Sequence, residues 1–148
     1  MYDVIAVGGG AAGMMSAIAA AENGVKALLI EKNDRMGKKL AITGKGRCNV
    51  TNNCDLNTLM DNIPNNGRFL YSSLSQYMPG DTMEFFESMG VPLKTERGRR
   101  VFPVSDKAAD IVSALTKRLE QLGVETVREN VSGRHGTGEQ GNTNPQGL

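Results

Sequence analysis

Six residues near the N-terminus, Gly8-Gly9-Gly10-Ala11-Ala12-Gly13, fit the spacing G-x-G-x-x-G. That spacing carries chemistry only in the right context. It follows a short apolar run, Asp3-Val4-Ile5-Ala6-Val7, which suits a buried parallel strand. It opens an Ala-rich stretch, Ala11 to Asn23, which reads as a helix stopped at Gly24. Val25 to Ile30 is a second apolar run and ends at Glu31, 18 residues beyond Gly13, close to the ~20 expected of a dinucleotide fingerprint. Gly8 permits the sharp exit from the strand, Gly10 leaves room for a pyrophosphate, and Gly13 lets the helix lie on the strand. The first-turn N–H groups and the helix dipole then favour an anion. Glu31 can accept hydrogen bonds from a ribose diol, and its charge disfavours NADP. The motif by itself leaves FAD and NAD open.

A second stretch with chemical potential follows. From Lys26 to Arg47 there are seven basic and two acidic residues, whereas the whole chain has a net charge of only +1. Basicity is thus concentrated beside the expected pyrophosphate. Lys38 and Lys45 read as solvated loop charges. Arg47 reads as ligand-facing, because it sits between Gly46 and the polar run Cys48-Asn49-Val50-Thr51. Cys48 reads as a small side chain that fits its loop, rather than as a redox centre or a disulfide partner of Cys54.

The elements that must hold these residues are legible in outline. Strand, turn, helix and strand within about 30 residues form a βαβ unit with a right-handed crossover. Lys32 to Asn53 reads as loop. Leu56 to Met89 has helical periodicity, with one stripe at Leu56, Leu59, Met60 and Ile63 and another at Phe69, Leu70, Leu74 and Tyr77. A third helical segment, with Asp81 as its cap, ends at Gly90. Val91 to Val104 reads as short strands or a hairpin, and its basic cluster as a solvated surface. Ser105 or Asp106 is expected to cap a helix running to Leu122, with Ile111, Val112, Leu115, Leu119 and Leu122 on one face. Val124 to about residue 130 is a third strand, and residues 132–148 read as a disordered polar tail. The expected fold class is α/β: a Rossmann-like parallel sheet with a helical insertion at about 55–90, one domain over residues 1–131, incomplete on its C-terminal side.

Composition narrows the function classes. With 148 residues and charge +1, bulk electrostatics do not support a nucleic-acid or membrane partner. His135 is the only histidine, which excludes a His-dependent triad and a multi-His metal site. Val4 to Ala21 carries no charge, but no Lys or Arg precedes it and four glycines interrupt it. It therefore reads as neither a signal peptide nor a span, and a cytoplasmic protein is expected.

The strings GGGAAG, EKN, GKKL and ITGKGRCNVTN closely resemble the aminoacetone-oxidase-like, or BaiN-like, FAD-binding flavoproteins. GRRVFPVSDKAADIVSAL resembles a second block of that family. The resemblance spans residues 1–131. It implies bound FAD, a Rossmann-type domain and oxidoreductase chemistry, with reduced nicotinamide as electron donor and an organic substrate or oxygen as acceptor. It implies that Gly8, Gly10, Ala11, Ala12 and Gly13 form the pyrophosphate loop, and that Glu31 and Lys32 meet the adenosine ribose. It places Lys39, Gly44, Arg47, Cys48 and Asn49 along the flavin end, and the Val131 backbone at adenine. Family members are more than twice this length. A truncated form is therefore expected, weak or inactive alone, with its first strand exposed to self-association. The rival readings are an NAD-binding dehydrogenase domain and a non-catalytic nucleotide-binding fragment.

Overall fold

A computed structural model describes residues 1–128. Strand β1 (Val4–Val7), helix α1 (Ala11–Glu22) and strand β2 (Ala27–Glu31) form the expected βαβ unit. β1 and β2 pair in parallel, Val4 against Ala27 through Val7 against Ile30. Strand β6 (Glu125–Arg128) joins the other side of β2, giving the order β1-β2-β6. The expected third strand is thus present from residue 125. Val131 and the tail at 132–148 lie outside the described residues.

Small side chains set the α1–sheet contact. Met14, Ala17 and Ile18 of α1 are buried against Ala6, Ala27 and Leu29. Helix α6 (Ala108–Gln121) packs on α1 and buries Ile111, Leu115 and Leu119, as its period predicts. The opposite face of the sheet is less covered. Ile5 is 55% and Val7 81% exposed, so β1 is buried on one face only. The sequence expectation of a strand buried on both sides fails because the described helices cover one face.

The stretch 32–53, expected as loop, contains helix α2 (Lys38–Ile42), a turn at Thr43–Gly46 with Gly44 and Lys45 in the left-handed region (φ 55° and 59°), and strand β3 (Thr51–Asn52). α2 is too short for its own propensity to reveal it. Tertiary contact fixes it instead: the Gly37 N–H donates to the Gly9 carbonyl at 2.7 Å. A Cβ on Gly37 would come within 2.7 Å of Val112 on α6. β3 exists only through pairing with β5, far along the chain.

Helices α3 (Leu56–Asp61), α4 (Gly67–Gln76) and α5 (Pro79–Ser88) form the helical insertion. α4 packs on α3 and buries none of its residues; Phe69 of its apolar stripe is 86% exposed. Asp81 does cap α5, from the third helical position, by accepting the Met78 N–H. Strands β4 (Leu93–Glu96) and β5 (Arg100–Pro103) make the expected hairpin, and β3 completes a small antiparallel sheet, β3-β5-β4. The α6 cap differs from expectation. Lys107 occupies the cap position without a side-chain bond. The Asp106 carboxylate is drawn instead to Lys94 and Arg47, at 2.7 and 3.4 Å.

Candidate functional site

The glycine turn behaves as its spacing predicts. Gly8 has φ of 103°, a conformation that side chains resist, and its N–H donates to the Ile30 carbonyl at 2.7 Å. A Cβ on Gly13 would lie 1.9 Å from the Gly8 carbonyl oxygen, so only glycine lets α1 approach β1 this closely. A Cβ on Gly10 would meet nothing within 4 Å. Gly10 therefore faces open space, at the cap of a helix with no side-chain cap and no acidic residue in its first turn. Those first-turn N–H groups lack intrahelical partners, and an anion would satisfy them.

Glu31 is 7% exposed and already bonded. One oxygen accepts the Gly9 N–H at 2.5 Å, the other the Asn33 backbone N–H at 2.8 Å and its side-chain amide at 2.5 Å. The Asn33 backbone N–H, foremost, together with the Gly9 N–H, the Asn33 amide and the charge of Lys32, holds this carboxyl below its ordinary range; burial opposes them. Glu31 thus ties β2 to the glycine turn and stays ionised.

Two cavities flank the first turn of α1. The larger, about 890 Å³, is lined by Gly8, Gly9, Gly10, Glu31, Asn33 and the basic residues Lys32, Lys38, Lys39 and Arg128. The smaller, about 150 Å³, is apolar and lined by Ala11, Met15, Leu40, Cys48, Asn49 and Phe86, among others. Gly10 borders one and Ala11 the other. An extended ligand with an anionic centre could cross the helix N-terminus with an end in each.

The structure therefore gathers Gly8, Gly10, Glu31, Lys32 and Lys39 around one cavity, and Ala11, Cys48 and Asn49 around the other. Ala12 is exposed on the first turn of α1. Gly44 and Arg47 line neither cavity. A Cβ on Gly44 would press on the Asn49 N–H and Phe102, and Arg47 turns to Glu96 and Asp106. Val131 lies outside the described residues. Seven residues around the larger cavity were not picked out from the sequence as site residues, three of them the strand residues Val7, Ile30 and Val127. Gly9 was inside the motif and Lys38 inside the basic run. Asn33 was inside the string EKN, and Arg128 had no local signal; parallel register sets Arg128 beside Glu31.

Cys48 is 2% exposed and adopts a left-handed backbone, φ 63°. Burial pushes its thiol up, against a hydrogen bond to Thr43. This is the reverse of an activated thiol. Cys48 and Cys54 are both unpaired.

Comparison with known proteins places this geometry. Over 121 residues the chain is 37% identical to a 3-dehydro-bile acid delta(4,6)-reductase of Clostridium scindens, covering 80% of this chain and 29% of that protein. It is 29% identical over 124 residues to the ribosomal RNA dihydrouridine synthase of Escherichia coli, covering 83% and 30%. The chain thus spans about three tenths of the length of these curated relatives. Among solved structures, a flavocytochrome c3 fumarate reductase matches with a TM-score of 0.64 at 21% identity, over 86% of this chain and 26% of that one. A 3-ketosteroid dehydrogenase of Rhodococcus jostii matches at 0.56 and 17%, over 86% and 37%. These likenesses show the fold. The resemblance carried by GGGAAG and ITGKGRCNVTN agrees with the first relative. The model of the HI0933-like protein Rossmann domain matches residues 2–142, and the chain belongs to that family.

Proposed function

We propose that this chain is the FAD-holding portion of a flavin-dependent oxidoreductase. The observation that carries the reading is the pair of cavities flanking the uncapped N-terminus of α1, with Glu31 on one side and the Cys48-Asn49 loop on the other. Gly10, Ala11 and Ala12 would present their N–H groups to the pyrophosphate. Glu31 and Lys32 would meet the adenosine ribose; Lys39, expected along the flavin end, lines the Glu31 cavity instead and would add charge beside that ribose. Cys48 and Asn49 would border the flavin end, with Gly44 and Arg47 shaping the same loop. Val131 is proposed as the adenine backbone contact.

Bound flavin would supply two-electron chemistry, taking hydride from reduced nicotinamide and passing it to an organic substrate or oxygen. The protein's share is to bind, orient and shield. Turnover is proposed for the longer protein that the relatives represent, and weak FAD binding for the 148 residues alone. Their β1 edge pairs with no strand beyond β2 among the described residues and carries exposed Ile5 and Val7, which favours self-association. Among the described residues, no helix is long and apolar enough to cross a membrane. Unpaired cysteines accord with a reducing, cytoplasmic setting.

Equilibrium dialysis of the protein against FAD, with gel filtration of the chain alongside, tests the reading. Saturable FAD binding is expected, with part of the chain eluting in associated form. Retention of a nicotinamide dinucleotide in preference to FAD would favour the dehydrogenase reading instead.

A further inference from the structure

We infer that Glu96 is a positioning residue for the Cys48-Asn49 end of the site, acting through Arg47. The inference rests on the FAD reading above. Arg47 Nη1 lies 3.0 and 3.2 Å from the two Glu96 carboxylate oxygens and 3.4 Å from Asp106. Its guanidinium sits 4.0 Å over the ring of Phe102, which is 2% exposed. Lys94 completes the group, 2.7 Å from Asp106 and 3.5 Å from Glu96. Arg47 and Lys94 are each paired with these carboxylates, and Arg100 lies 5.7 Å from the same Phe102 ring. The effect of the cluster is on the loop.

The loop needs such a hold. Gly46 and Cys48, on either side of Arg47, both have positive φ, 84° and 63°. A non-glycine residue there persists only where its surroundings over-determine it. Backbone bonds supply part of the constraint: Cys48 N–H to the Thr43 carbonyl at 3.0 Å and Val50 N–H to the Val101 carbonyl at 2.9 Å. The Asn49 amide, with its nitrogen toward the Thr51 and Val101 carbonyls at 3.1 and 3.3 Å, adds to it. Arg47 is the side chain that pins the turn between these bonds, and Glu96 is its nearest anion. Neither Arg47 nor Glu96 lines the smaller cavity, whereas Cys48 and Asn49 do. The small sheet therefore sets the shape of a cavity wall that it does not itself form.

Alkylation of the buried Cys48 thiol reports the loop directly, with no ligand present, once Cys54 is replaced (Cys54→Ser). In that background Glu96→Ala should raise the Cys48 alkylation rate about tenfold and weaken FAD by a similar factor, leaving ADP within about twofold. Glu96→Gln should change each in the same direction by less, and carries the test if Glu96→Ala does not fold. Arg118→Ala, which breaks the remote pair with Glu22 at 2.6 Å, should leave the Cys48 rate unchanged. An unchanged rate in the Glu96 variants, or ADP affinity falling in step with FAD, would overturn the positioning role. Wild-type protein that binds neither FAD nor ADP would instead overturn the cofactor reading, and the Cys48 rate alone would then decide whether Glu96 holds the loop.

Discussion

At the ends of β1 and β2 the cleft is shaped by backbone: an open face at Gly10, a contact at Gly13 too close for any Cβ, and N–H groups of Gly9 and Asn33 closed on Glu31. Around β4 and β5 the Thr43–Asn49 loop adds side chains to its backbone bonds: Arg47 on Phe102, with Glu96, Asp106 and Lys94 about it. The two regions are coupled to one site by different physics. In the first, residue type is dictated by steric room, and few substitutions fit. In the second, charge pairs and a buried ring share in the holding, and their parts can be weakened by degrees. The first region should therefore fail abruptly when a glycine is changed, and the second in proportion to what is removed.

The largest expected effect is in the small sheet. Phe102→Ala removes a fully buried ring and should cost about 3–5 kcal/mol of stability. Where the variant is still folded, ADP binding should be kept, because the glycine turn is untouched. Denaturant unfolding with an ADP titration checks both. Loss of ADP binding in folded protein would erase the distinction between the regions.

Gly13→Val is the counterpart in the parallel sheet. The added side chain starts 1.9 Å from the Gly8 carbonyl oxygen, and backbone must move, at a cost of about 3 kcal/mol. Thermal unfolding should show a large fall, with ligand binding lost along with the fold. A stable variant would mean that α1 does not need its close approach.

Glu31→Ala comes next. It should weaken FAD by about 1–3 kcal/mol and leave FMN, which lacks the adenosine ribose, nearly unaffected. Equal losses for both would remove Glu31 from the ribose. Glu31 also links two elements through Gly9, so a lower unfolding midpoint is expected as well.

The smallest effect is on pH dependence. The Glu31 carboxyl is held down chiefly by the Asn33 backbone N–H, and that of Asp106 chiefly by its hydrogen bond from Lys94. A carboxyl depressed in the folded state stabilises it once ionised. That stability is present above the unfolded values, about 4.3 for Glu and 3.9 for Asp, and is lost as pH falls through the folded ones. Unfolding curves from about pH 5 downward should show the decline, and Glu31→Gln should flatten it. An identical slope in the variant would contradict the bonding seen at Glu31.

This contrast explains what the sequence disclosed. Gly8, Gly10, Gly13 and Glu31 are close along the chain and constrained by type, so their spacing reveals them. Arg47 was expected at the ligand because its neighbours Gly46 and Cys48 are ligand-like. Its partners Glu96 and Asp106 lie in another part of the chain, and no local pattern announces them. The same distance hid β3, which needs Val101 and Arg100 opposite it. Asp106 has the right chemistry to cap α6, but two cations compete for its carboxylate. α2 follows from Gly37 meeting Val112, a contact invisible to periodicity. Arg128 enters the cleft through register with Glu31 alone.

The central claim is that the uncapped turn of α1 holds the anionic centre of FAD. Gly10→Val tests it most directly, because Gly10 has an extended backbone, φ −85° and ψ −174°, and an added Cβ would meet no protein atom within 4 Å. The fold should therefore survive while the new side chain occupies the space above the N–H groups. FAD titrated into both proteins, with circular dichroism confirming equal folding, should give saturable binding to wild type and none to Gly10→Val. Equal FAD affinity in two equally folded proteins would contradict the account.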